Sequence, residues 1–132
     1  MEQNIVCERI YKAALALINE PDNGNADDYA ERAPYLLAAF CGEAGGIDAA
    51  YRKSKGLPSQ PSYGSVMIGL EESFPLSNRF AGAAALYLAA MLVIDENEEL
   101  SDRLYGRYCD RMSKICSEIP GVLEKITDIY GY

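Results

Sequence analysis

The chain has 132 residues, enough for one domain with a single hydrophobic core, and carries 12 basic against 20 acidic side chains, a net charge of −8. That balance works against nonspecific binding to nucleic acid or to anionic lipid, both of which need a positive field. Histidine is absent altogether, which excludes histidine triads, histidine metal sites and the usual general base near neutral pH, while carboxylate, lysine and cysteine chemistry stay open.

The first helix is predicted over 3–19. Val6, Ile10, Ala13, Ala14, Leu17 and Ile18 recur at spacings of three and four, and Glu8, Arg9 and Lys12 fall off that stripe. Pro21 and the Asn23-Gly24 pair end it, since proline cannot continue a helix and Asn-Gly favours a turn. A second helix is predicted over 26–41. Asn25 is its cap, and Asp27, Asp28 and Glu31 place negative charge at the positive end of the dipole. Tyr29, Ala30, Ala33, Leu36, Leu37, Phe40 and Cys41 make its buried face. Pro34 lies within this pattern and either kinks the helix, the reading preferred here, or opens a separate one.

Residues 42–69 look different in kind. Gly42, Gly45, Gly46, Gly56, Pro58, Pro61, Gly64 and Gly69 punctuate them, so a long loop is expected, with at most a short helical turn at Ile47–Lys53. Arg52, Lys53 and Lys55 make it the one locally basic loop, read either as solvated surface or as a contact for an acidic partner. Ser65–Leu70 is a short apolar run suited to extended chain.

Phe80–Ile94 holds fifteen residues without a charge. It is too short for a membrane span, which needs roughly 18 or more apolar residues, and it is apolar all round, so a buried central helix over 78–94 is expected with Ser77 as cap. Ala81–Ala85 make its first half slim; Leu86, Leu88, Met91, Leu92 and Ile94 make the second half bulky. A D-x-x-E arrangement in Asp95-Glu96-Asn97-Glu98 suits a capping box and opens a fourth helix over 97–118. Leu100, Leu104, Tyr108, Met112, Ile115 and Ile119 form its apolar stripe. Arg103, Arg107, Arg111 and Lys114 form a basic ridge beside it. The ridge reads either as local pairing, Glu99 with Arg103 and Asp110 with Lys114, or as a cationic seam facing the acidic helix ends of another subunit. Pro120 and Gly121 end the helix. The tail 120–132 carries Ile126, Ile129 and Tyr130, a composition too apolar for a disordered terminus, and is expected to dock on its own core or on a neighbour.

The expected fold is therefore all-α: a compact bundle of four main helices, a long loop between the second and third, and an extended C-terminal tail. Cys7, Cys41, Cys109 and Cys116 fall in helical patterns with no CxxC pair, so reduced, buried thiols are expected rather than a disulfide framework or a zinc site. No charged-then-apolar leader opens the chain. Phosphate loops, dinucleotide fingerprints, nucleophile elbows and calcium loops are absent. No cofactor or catalytic residue is indicated.

Several segments in order do carry a resemblance: Asn19-Glu20 at the end of the first helix, Asp28–Leu37, Leu70–Leu76 before the central helix, and Tyr87–Leu92 within it. The acidic turn Asp95–Glu98, Leu104–Tyr108 and the tail motif Ile126–Gly131 complete the set. Together they resemble the small all-helical head–tail connector (adaptor, head-completion) proteins of tailed bacteriophages and prophages. The resemblance implies a non-enzymatic virion component that self-associates into a ring on the portal protein, with a monomer in dilute solution left open where the portal templates the ring, and that offers a docking surface to the tail or a stopper protein. It also implies assembly in the bacterial cytoplasm, a final place in the virion neck, and no sequence-specific nucleic-acid or membrane binding. Departures are the Gly/Pro/Ser-rich stretch at 42–64 and the lack of a clear basic lining for a DNA channel. Two rival readings remain. One is a cytoplasmic adaptor or regulatory bundle that binds a protein partner; the other is a small enzyme using carboxylates or Cys41.

Overall fold

The computed structural model describes residues 5–18, 26–58 and 65–120. Among these residues four helices form: α1 (Cys7–Leu17), α2 (Ala26–Lys55), α3 (Ala81–Val93), entered through a 3₁₀ turn at Asn78–Phe80, and α4 (Glu98–Ser117). No strand forms among them; the nearest approach is a lone antiparallel bridge between Val6 and Ser73. The expected all-α bundle is the fold.

Its centre is α3, which packs against α1, α2 and α4. Leu88, Ala89 and Ala90 are fully buried and Leu92 nearly so, as an all-apolar helix requires. Each buried leucine contributes about 1.5–3 kcal/mol of transfer free energy. Phe40 of α2 sits in an aromatic cluster with Phe74, Tyr87 and Tyr108, at centroid distances of 6.3, 5.8 and 6.1 Å. Ser101 of α4 donates its hydroxyl to the Ala90 carbonyl at 2.8 Å, fixing the register of α4 on α3. At the far end of α3, Arg32 donates to the carbonyls of Met91 (3.1 Å) and Leu92 (3.4 Å). A cation there satisfies otherwise unpaired acceptors at the negative end of the helix.

Several expectations need correction. α2 does not stop at Cys41 but runs unbroken through Pro34 and the three glycines to Lys55, so the non-helical connection to α3 starts at Gly56 and not at residue 42. Leu37, Cys41, Ala44, Asp48 and Arg52 are all buried and follow one another at spacings of three and four. That face continues straight through Gly42, Gly45 and Gly46, and packing outweighs their poor helix propensity. The helix ends at Gly56, whose φ of 69° is the left-handed conformation glycine adopts freely. The Leu57 amide donates to the Arg52 carbonyl at 2.8 Å and the Gly56 amide to Lys53 at 3.3 Å, the paired bonds of a Schellman cap.

Ser77 does not cap with its side chain. Its hydroxyl is buried without a partner among the described residues, while its amide donates to the Asp48 carboxylate at 3.0 Å. Asp48 also accepts from Arg52 Nε at 3.0 Å, so this buried pair ties the end of α2 to the start of α3. α4 is capped by Asn97, whose side chain accepts from the Leu100 amide at 3.1 Å, rather than by an Asp95–Glu98 box. α1 begins at Cys7 rather than residue 3. Ile5 and Val6 are extended against 73–74, and the first amides of α1, Cys7 and Glu8, donate to the carbonyls of Glu72 and Leu70. Main-chain acceptors there replace a side-chain cap.

Candidate protein-docking groove

The basic ridge of α4 borders an open groove. Ala13, Ala16 and Leu17 from α1 and Gly82, Ala85 and Leu86 from α3 make its floor, with Arg107 and Arg111 of α4 along one rim, enclosing about 350 Å³. A second depression of about 230 Å³ shares Leu86, Arg107 and Arg111 and extends the surface to Asp110 and Lys114. The two are one amphipathic surface: small apolar side chains below, cations along an edge.

The local sequence explains this shape. On α4, Leu104, Tyr108 and Ile115 turn into the core, and a 3.6-residue repeat then sets Arg103, Arg107, Arg111 and Lys114 on the adjoining flank. The slim first half of α3 leaves room between α1 and α4. Gly82 leaves the space into which the Arg111 guanidinium reaches, so a methyl group there would displace the end of that flexible side chain. Ala13 and Ala16, one of them read from sequence as core, are exposed on this floor.

The anticipated local pairs on the ridge do not form. Among the described residues, Glu99–Arg103 and Asp110–Lys114 are not ion pairs; those that form are Glu8–Lys12, Asp28–Arg32, Asp48–Arg52 and Arg79–Glu118. Arg103, Arg107 and Lys114 are exposed and Arg111 half-buried, and none of the four has an ion-pair partner among the described residues.

The other anticipated contact residues are placed differently. Arg52, Lys53 and Lys55 lie in the last turn of α2, not in a loop. Arg52 is buried on Asp48 and has a structural role. Lys53 is exposed, and Lys55 lies over the Tyr51 ring at 5.9 Å. Ile126, Ile129 and Tyr130, with the rest of 121–132, lie outside the described residues.

Nucleophile chemistry finds little support in the thiols. Burial pushes Cys41 up to about 12 and Cys7 up to about 11, and raises Cys116 as well, so these groups hold their protons at neutral pH. All four cysteines are free, and Cys109 is exposed rather than buried as expected. Among the described residues no group of three metal-ligating side chains converges, and no helix is long and apolar enough to cross a membrane.

No family model, curated protein or solved structure matches the chain.

Proposed function

We propose that the protein is a structural, ring-forming adaptor of a tailed phage or prophage, seated between the portal and the tail or stopper. The reading rests on the ordered segments that resemble head–tail connectors. The observation that favours a docking role over catalysis is the groove: an apolar floor, with arginines on its rim that have no ion-pair partner among the described residues, is suited to recognising a protein surface. Exposed charge at a rim steers encounter and selects partners, while the desolvated floor supplies affinity. In this reading the rigid bundle is the body of each ring subunit, and the tail carrying Ile126, Ile129 and Tyr130 supplies a further contact to the portal or an adjacent subunit. The acidic balance suits a neck through which DNA moves without sticking.

The test is deletion of the gene in the bacterium that encodes it, followed by induction with a DNA-damaging agent and electron microscopy of the lysate. DNA-filled heads and free tails should accumulate unjoined, and complementation in trans should restore complete virions. Normal virions from the deletion strain, or no particles from either strain, would favour the cytoplasmic adaptor instead.

A further inference from the structure

The groove has a counterpart at the opposite end of the α3–α4 hairpin. There the connecting turn and the first turns of α4 expose Asp95, Glu96, Glu98, Glu99 and Asp102. At their edge Ile94 is 45% exposed, although it ends an otherwise apolar, buried helix. Tyr29 donates to Glu96; the remaining four carboxylates have no ion-pair partner among the described residues. One end of the hairpin is thus an acidic apex with an apolar point, and the other is an apolar groove with a cationic rim. Both signs of charge and both apolar components match.

The match cannot be satisfied within one chain. Both surfaces sit on the same continuous helix, and its rise holds Glu98–Glu99 roughly 12–20 Å from Arg107 and Arg111. We infer that the acidic apex of one copy docks in the α1–α3–α4 groove of the next, with Ile94 against the floor and the apex carboxylates facing Arg103, Arg107, Arg111 and Lys114. Among the described residues Asp110 is the one acid lining the rim, and it repels carboxylates that approach beside it. Because the two surfaces are different patches, the contact either pairs reciprocally in a two-fold dimer or repeats head to tail into a ring or filament, and the ring-adaptor reading selects the second. This deepens the ring-adaptor reading and rests on it for its setting, though the contact itself is a property of the isolated chain.

The experiment is sedimentation equilibrium of the full chain from micromolar to millimolar concentration at low and high salt. Three samples are compared: wild type, a groove reversal (Arg107→Glu with Arg111→Glu) and an apex reversal (Glu98→Lys with Glu99→Lys). Asp102→Lys, beyond the first helical turn, serves as a second apex variant if the first melts early. Wild type should associate as concentration rises and dissociate with salt, as screened surface charge requires. Each reversal alone should weaken association at least about tenfold, because like charges are then juxtaposed. Mixing the two in equal amounts should restore it, since every apex then meets a groove of opposite sign. The inference is overturned if wild type stays a single chain throughout, if either reversal leaves association unchanged, or if mixing restores nothing. The outcome is separable from the phage experiment. Salt-dependent association with normal head–tail joining in the deletion strain would remove only the phage setting. A joining defect without self-association would remove only this contact.

Discussion

Cys109 differs from the other three thiols because α4 turns it to solvent while burial holds Cys7, Cys41 and Cys116. Thiol reactivity follows thiolate fraction and access, so one thiol per chain should react with an aromatic disulfide reagent in the native state and four after unfolding. A spectrophotometric titration reads this directly, and two or more fast thiols would show that a buried site opens. Glu118 offers a pH-dependent counterpart. Arg79 donates to it twice, at 3.0 and 2.6 Å, and these bonds lower the carboxyl below its ordinary 4.5. A lowered folded value favours the ionised form, so the pair stabilises the fold above the ordinary value, and the contribution is lost as pH falls below it. The pair is about one-third exposed, so the effect is small. Melting temperatures measured downward from pH 5 should fall more steeply for wild type than for Glu118→Gln, and parallel slopes would contradict the assignment.

At the scale of elements, α2 shows most clearly what packing adds to propensity. Gly42 and Gly46 are exposed helical positions, and a methyl group at either meets nothing within 4 Å. Replacing either with alanine should stabilise the protein by about 0.5–1 kcal/mol, because the unfolded chain loses freedom and the helix gains propensity. Denaturant midpoints check this, and destabilisation would mean that the helix needs to bend there. In α3 the expectation runs the other way: Leu88→Ala removes a fully buried side chain and should cost about 2–5 kcal/mol, read by the same unfolding curves. The burial of α3 and the stripe of α4 were legible in the sequence, since fifteen uncharged residues and a clean three-four repeat leave one physical solution. The second half of α2 was not. Its glycines read as loop, and the buried face through Ala44, Asp48 and Arg52 carries too little hydrophobicity to announce itself. Nor does a linear pattern reveal that Asp48, 29 residues away, takes the Ser77 amide bond and leaves its hydroxyl out of the cap.

At the scale of the whole molecule, sequence marked the basic ridge but not the groove. A groove is the space left when three helices meet, and it depends on which alanines of α1 and α3 remain uncovered after packing. Neither the floor at Ala13 and Ala16 nor the exposure of Ile94 follows from a linear pattern. In the proposed assembly they belong to one rigid helical subunit, groove at one end and apex at the other, seated in the neck of a virion. Quantitative mass spectrometry of particles purified through a density gradient from the induced host, with image averaging of their necks, tests that assembly most directly. This chain should appear in fixed ratio to the portal, with a ring of density between portal and tail. Its absence from complete, infectious particles would contradict that assembly.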